Sequence, residues 1–297
     1  MRLASIRVGQ EQTAAVVVTN GALPISKINQ LHETQWETDL LALLKVGQLD
    51  DFQSWFSSLP REARETLFAM ATPSQQIVYG PPYKHPGKIW GIGLNYVEHA
   101  SDLKEVSPSE EPASFMKPDT TIIGPGDKIR LPEQSSRVTA EAELGVIIGR
   151  KVKNISEEEA PSAVAGLTTV IDMTAVDILE RNPRYLTLAK SFDTFFSFGP
   201  QLVTLDEVDR IGDLEVSTVI NGRLHRKNRV SNMTFSPWFL VSFHSKVMTL
   251  LPGDVISTGT PGAVIINEGD TVACEIEGFE TLFNTVEKTT CSNEAGR

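Results

Sequence analysis

Only two cysteines occur, Cys274 in an apolar stretch and Cys291 in a polar tail. No disulfide framework is therefore expected, and a reducing compartment is the default. No apolar run approaches the length of a membrane span, and the residues from Met1 to Val8 lack the basic-then-apolar order of a signal peptide. The chain is read as cytoplasmic, with no membrane partner. Positive charge is in deficit too: 27 Lys and Arg against 38 Asp and Glu leave a formal net charge of −11, which argues against nucleic acid as a partner. What is there is ordinary for a soluble globular chain, 40% hydrophobic and 22% charged over 297 residues, enough to bury a sizeable core.

Up to about residue 80 the pattern predicts a strand pair (Ile6 to Val8, Ala14 to Val18) and helices near Glu37 to Leu44 and Glu62 to Met70, a small α+β unit. The run from Tyr79 to Gly87 is dense in Pro and Gly, which interrupt regular elements, and the boundary between a 1–80 domain and an 81–297 domain is placed there. Beyond it come short β-like runs: Lys88 to Ile92, Leu144 to Ile148, Leu167 to Ile171, Glu215 to Ile220, Asp254 to Ser257, Thr271 to Ile276 and Thr281 to Val286. Helices are expected near Glu98 to Lys104, Thr174 to Glu180 and Pro237 to Val247, and Asn221-Gly222 signals a hairpin. The class is α+β and β-rich, with a rolled or sandwiched sheet.

The segment from Ala140 to Gly149 sets Glu141 and Glu143 before an apolar run. Two apart on a strand, they point the same way. A lone Glu-x-Glu is ordinarily a solvated strand end, but Asp172 ends another apolar run, where an unpartnered charge is costly. Three carboxylates with water completing the shell suit a hard cation, Mg²⁺ or Mn²⁺. Gly91-x-Gly93 lacks the third glycine of a dinucleotide loop, with Tyr96 in its place, so no nucleotide cofactor is expected. His32, His85, His225 and His244 have no catalytic context and are read as structural.

These blocks resemble the fumarylacetoacetate hydrolase family. The resemblance rests on Glu141-x-Glu143, Asp172-Met173-Thr174-Ala175-Val176-Asp177, Gly91 to His99, Phe115-Met116-Lys117-Pro118, Ala189 to Phe195 and Gly253 to Pro261. They stand in the family's order within about residues 85 to 287. It implies a β-roll catalytic domain, commonly in a homodimer, with metal on Glu141, Glu143 and Asp172. It also implies a lid carrying His99, Lys190 as the active-site lysine, and Thr260, beside Gly259, at the substrate carboxylate. In this reading His99 is the general base or proton shuttle, oriented by Asp102 three residues on. Lys190 stabilises enolate charge.

Many relatives carry Arg where this chain has Val176 and Gln where it has Leu179. These changes predict an apolar pocket wall and a substrate with an apolar distal group. Asp102 stands where lid-type relatives have Glu. The expected reaction is hydrolysis of a carbon-carbon bond in a β-diketo acid such as an acylpyruvate. Decarboxylation of an oxaloacetate-like 2-oxo acid, or isomerisation, at the same site is the alternative. A degraded paralogue acting as a binding protein is the remote one.

Overall fold

The computed structural model describes residues 1–9, 11–97 and 108–289. Its centre is an antiparallel pair, Val138–Ile148 and Val164–Ala175, in which nearly every residue is buried. Because both faces are covered, neither strand shows the alternation of a half-exposed sheet. The pair lies in the middle of a thirteen-stranded sheet, and a five-stranded sheet packs against it.

The two faces of the central pair serve different purposes. Ala140, Ala142, Leu144 and Val146 point into the main core, with Val216, Ile220, Val272, Cys274 and Leu282 of the smaller sheet. Ile147 and Val170 point the other way, into a second core with Leu3, Val16, Leu40, Phe52, Phe196 and Phe198. Glu141 lies directly opposite Asp172, and Glu143 opposite Val170. Residues paired across a ladder share a face, so all three acids point away from the main core.

Strands Arg2–Val8, Glu11–Val18 and Gly21–Pro24 form a meander that continues the large sheet, because Arg2–Val8 pairs with Gln201–Val203. Helices Ile25–His32, Leu40–Lys45, Leu49–Ser58 and Arg61–Ala69 follow. Asp39 caps the second by accepting the Ala42 N–H at 2.8 Å. Residues 80–88 carry neither helix nor strand.

The hairpin signal is realised between Glu215–Ile220 and Arg223–Arg229. Asn221 and Gly222 both have positive φ, 52° and 72°, as the tight two-residue turn requires. Helix Pro237–Val247 has the expected bounds, with Ser236 accepting the Phe239 N–H and Pro237 in the first turn, where a missing N–H costs nothing. No described helix is long and apolar enough to cross a membrane.

The segment expected as a helix from Thr174 starts later. Strand pairing runs through Ala175 and the helix is Val176–Arg181. Thr174 is β-branched, which favours strand, and its hydroxyl is engaged at the acid cluster.

Candidate metal centre

Glu141, Glu143 and Asp172 offer carboxylate oxygens that all lie within 4.8 Å of one another. Their exposures are 7%, 1% and 1%, so the solvated strand end that Glu-x-Glu ordinarily marks is not what this chain builds. The strand begins at Val138, six residues before the apolar run, and the acids sit inside it.

Two lysines face the triad. Nζ of Lys190 donates to Asp172 Oδ2 at 2.6 Å, to Thr174 Oγ1 at 2.7 Å and to Glu141 Oε2 at 3.1 Å, and lies 4.7 Å from the centre of the Phe115 ring. Nζ of Lys117 donates to Asp172 Oδ1 at 2.6 Å. Thr174 Oγ1 donates to Glu141 Oε1 at 2.7 Å. The Ser257 hydroxyl and the Gly259 N–H both donate to Glu143 Oε2, the latter at 2.8 Å.

Titration follows from this packing. Burial, then the charges of Asp172 and Glu141, push the Glu143 carboxyl up to about 8. Burial would raise Asp172 as well, but the ammonium groups of Lys117 and Lys190 hold it below the usual range. Burial would lower Lys190, yet Asp172 and Glu141 outweigh it and hold the amine well above its ordinary value. Lys117 is lowered, chiefly by burial. With the proton on Glu143 below about 8, Asp172 and Glu141 balance the two ammonium groups, and loss of that proton to a bound cation leaves one net negative charge among the buried side chains. An all-oxygen donor set of this kind fits a hard divalent cation.

The glycine loop reaches the triad because the large sheet has a gap there. Val255–Ser257 pairs with Val138–Ile148 around Gly145 to Ile147, and Val264–Ile266 pairs with it around Val138 to Ala140. Between them residues 258–263 arch out, tied by Thr258 N–H to the Leu144 carbonyl at 3.0 Å. Asn95 clamps this loop from the far side, donating to the Thr258 and Phe235 carbonyls at 2.7 and 3.0 Å and accepting the Phe235 N–H at 2.9 Å.

The structure therefore brings together Glu141, Glu143, Asp172, Lys190 and, through the loop, Gly259. Thr260 is buried two residues from Gly262, with which its hydroxyl exchanges hydrogen bonds at 3.2 and 3.3 Å. Val176 is half-buried at the start of its helix, and Leu179 is partly buried against the main core. His99, Asp102 and the lid lie outside the described residues. Lys117, Thr174, Ser257 and Asn95 all stand in the sequence blocks named above, but the sequence reading gives none of them a role. The signal for Lys117 was available, since a lysine closing an apolar run needs a partner when buried.

Residues 88–287 match the family of the fumarylacetoacetate (FAA) hydrolase C-terminal domain. A mitochondrial oxaloacetate tautomerase of Xenopus laevis is 36% identical over 271 residues, 83% of this chain and 85% of the relative. Among solved structures, the 5-carboxymethyl-2-hydroxymuconate delta-isomerase of Mycobacterium smegmatis is 30% identical with a TM-score of 0.75, covering 98% of this chain and 100% of that one. The maleylpyruvate hydrolase of Sphingobium sp. SYK-6, in complex with manganese(II) and pyruvate, is 26% identical with a TM-score of 0.77, at 98% and 100% coverage. The chain belongs to the fumarylacetoacetate hydrolase family.

Proposed function

We propose that this protein is a divalent-metal-dependent enzyme that interconverts keto and enol forms of a small 2-oxo acid. The observation that carries the reading is the closed cluster of Glu141, Glu143 and Asp172 with Lys190 and Lys117. Mg²⁺ or Mn²⁺ held by the three carboxylates would act as a Lewis acid toward the two oxygens that a 2-oxo acid presents. Lys190 Nζ supplies a fixed positive charge for the enolate that develops there, in a water-poor site where such charge counts most. Asp172 and Glu141 favour its protonated form, and the part assigned to it here is that of a cation. The Gly259 N–H and the Ser257 hydroxyl orient Glu143.

Ketonisation moves a proton from the enol oxygen to the adjacent carbon and consumes no water. The likeness to an oxaloacetate tautomerase over 83% of the chain favours this outcome. Cleavage of a β-diketo acid is the second reading, favoured by the likeness to a maleylpyruvate hydrolase over 98% of the chain. It needs a base to activate water, the role expected of His99 with Asp102. In either reading Thr260 contacts the substrate carboxylate, Val176 and Leu179 wall the pocket, and the protein works as a homodimer.

The deciding experiment supplies Mn²⁺ or Mg²⁺ and compares decay of the enol absorbance of oxaloacetate with pyruvate release from an acylpyruvate. Enol decay accelerated over buffer and metal alone, and lost in Glu143→Ala, is the expected result. Pyruvate release without enol decay reverses the two readings, and inertness toward both removes them.

A further inference from the structure

Among the described residues, five that are not glycine have a positive φ. Glu33 ends helix Ile25–His32 in the left-handed cap that helices commonly adopt. Asn154 and Asn221 are of a residue type that tolerates this region. Leu94 and Thr194 have no such reason, and both flank the acid cluster. Leu94 precedes Asn95, the clamp on residues 258–263, and Thr194 follows Lys190 by four residues. For a β-branched side chain the φ of 71° at Thr194 is an outlier. Such a conformation persists only where the surroundings over-determine it.

The hydroxyl oxygen of Thr194 accepts the backbone N–H of Arg130 at 2.9 Å. Arg130 lies in Lys128–Leu131, at the edge of the smaller sheet, where outward N–H groups have no neighbouring strand. Around Thr194 the Phe195 N–H donates to the Phe192 carbonyl at 3.1 Å, and the rings of these two residues meet edge to face with centres 5.2 Å apart.

The turn joins the two sides of one ion pair. Phe196 lies opposite Asp172, and the Phe195 carbonyl accepts the Met173 N–H at 3.2 Å. On the other side, Lys190 donates to Asp172 at 2.6 Å. The two ends are not equally firm. Phe196–Phe198 is buried and paired with both Val164–Ala175 and Ile122–Ile123. Lys190 closes a helix of only five residues, Leu186–Lys190, in which Thr187 and Leu188 are exposed. Relaxing Thr194 to an ordinary backbone conformation redirects the chain at the turn, and the displacement falls on the helix side.

We propose that Thr194 is a positioning residue for the reaction: its left-handed turn, held by the Arg130 N–H, fixes the Lys190 ammonium against Asp172 and Glu141. This rests on the reading of Lys190 as the cation for enolate charge. A charge already in place stabilises the enolate without reorganisation. A lysine let loose therefore weakens binding of an enolate-like dianion more than binding of the keto acid itself.

The test compares the wild type with Thr194→Val, which keeps the shape but loses the acceptor oxygen, and Thr194→Asn, which tolerates the left-handed region and carries an acceptor. In chelator, acetylation of each lysine by acetic anhydride is followed by peptide mass spectrometry, with buried Lys117 as the internal control. Lys190 should label at least about tenfold faster in Thr194→Val, with Lys117 changed less than about twofold, as local opening requires. Thr194→Asn should return Lys190 to within about threefold of the wild type, since the hydrogen bond is restored. With Mn²⁺ bound, calorimetry should show oxalate, a stable analogue of an enolised 2-oxo acid, weakened about tenfold or more in Thr194→Val and pyruvate less than about threefold. Unchanged Lys190 labelling, a parallel rise at Lys117, or no recovery in Thr194→Asn overturns the proposal. Faster Lys190 labelling with oxalate affinity intact, or an equal loss of both ligands, overturns it too and leaves the 2-oxo acid reading standing. Binding of neither ligand by the wild type overturns that reading, and the acetylation rates still decide whether Thr194 fixes Lys190.

Discussion

Lys117 and Asp172 meet at 2.6 Å with neither side chain in contact with solvent. The second oxygen of Asp172 is held by Lys190 at the same distance. Asp172 thus has a counter-charge on each oxygen, and one of them comes from a residue to which the sequence reading gave no task.

Removing one partner of a buried ion pair strands the other and costs about 3–5 kcal/mol. Since Lys190 still contacts Asp172, Lys117→Met should lose about 3 kcal/mol in urea unfolding. Lys117→Met combined with Asp172→Asn should recover part of that loss. Additive losses in the double variant would show that the pair contributes nothing as a pair.

Glu143 gives a pH dependence with a definite sign. Its carboxyl titrates at about 8 in the folded chain against an ordinary value of 4.5, so between these values the folded state binds the extra proton. Its contribution to stability is complete below about 4.5 and is lost as pH rises through about 8. At about 1.4 kcal/mol per pKa unit the change is several kcal/mol. In chelator, Tm should fall from pH 5 to pH 9, and Glu143→Gln should flatten the profile. Asp172, held low, loses its contribution only in more acidic solution. Added Mn²⁺ should offset the fall in the wild type, since a bound cation takes over from the proton. An unchanged profile in Glu143→Gln would assign the slope to another group.

Gly259 has a φ of +97°, and a Cβ there would lie 2.8 Å from Cβ of Asn95. Gly259→Ala therefore combines an unfavourable backbone with a clash, about 1–3 kcal/mol for the backbone alone. The loop should shift and release Glu143. Mn²⁺ affinity and turnover are both expected to drop by about tenfold or more, with a lowered Tm. A variant matching the wild type in Mn²⁺ titration would mean that the Gly259 N–H does not position Glu143.

The acids were legible in the sequence because strand spacing alone put Glu141 and Glu143 on one side, and because Asp172 ended an apolar run. That Asp172 lies opposite Glu141 depends on ladder register, which one sequence does not display. Strands Glu215–Ile220 and Thr271–Ile276 and helix Pro237–Val247 have the expected bounds, since turn or capping residues flank them. Arg223–Arg229 was implied only by the hairpin signal at Asn221-Gly222 and not delineated, because an exposed edge strand with Leu224 as its sole large apolar residue shows no alternation. Helices Ile25–His32 and Leu49–Ser58 were also missed. Each buries only a few residues, Ile25 and Ile28 in the first and Leu49, Phe52 and Phe56 in the second.

The gap between Val255–Ser257 and Val264–Ile266 separates what must stay fixed from what is free to vary. Ladder bonds pin both ends of residues 258–263 to the strand that carries the glutamates. Beyond the anchor at Gly259, the buried turn is tied by the Thr260–Gly262 hydrogen bonds and carries the stem of Arg226 against Gly262. Length and composition there can change without moving a carboxylate, because the sheet hydrogen bonds do not pass through it. A chain built this way can be retuned toward a new substrate at one turn while its acid cluster stays in place.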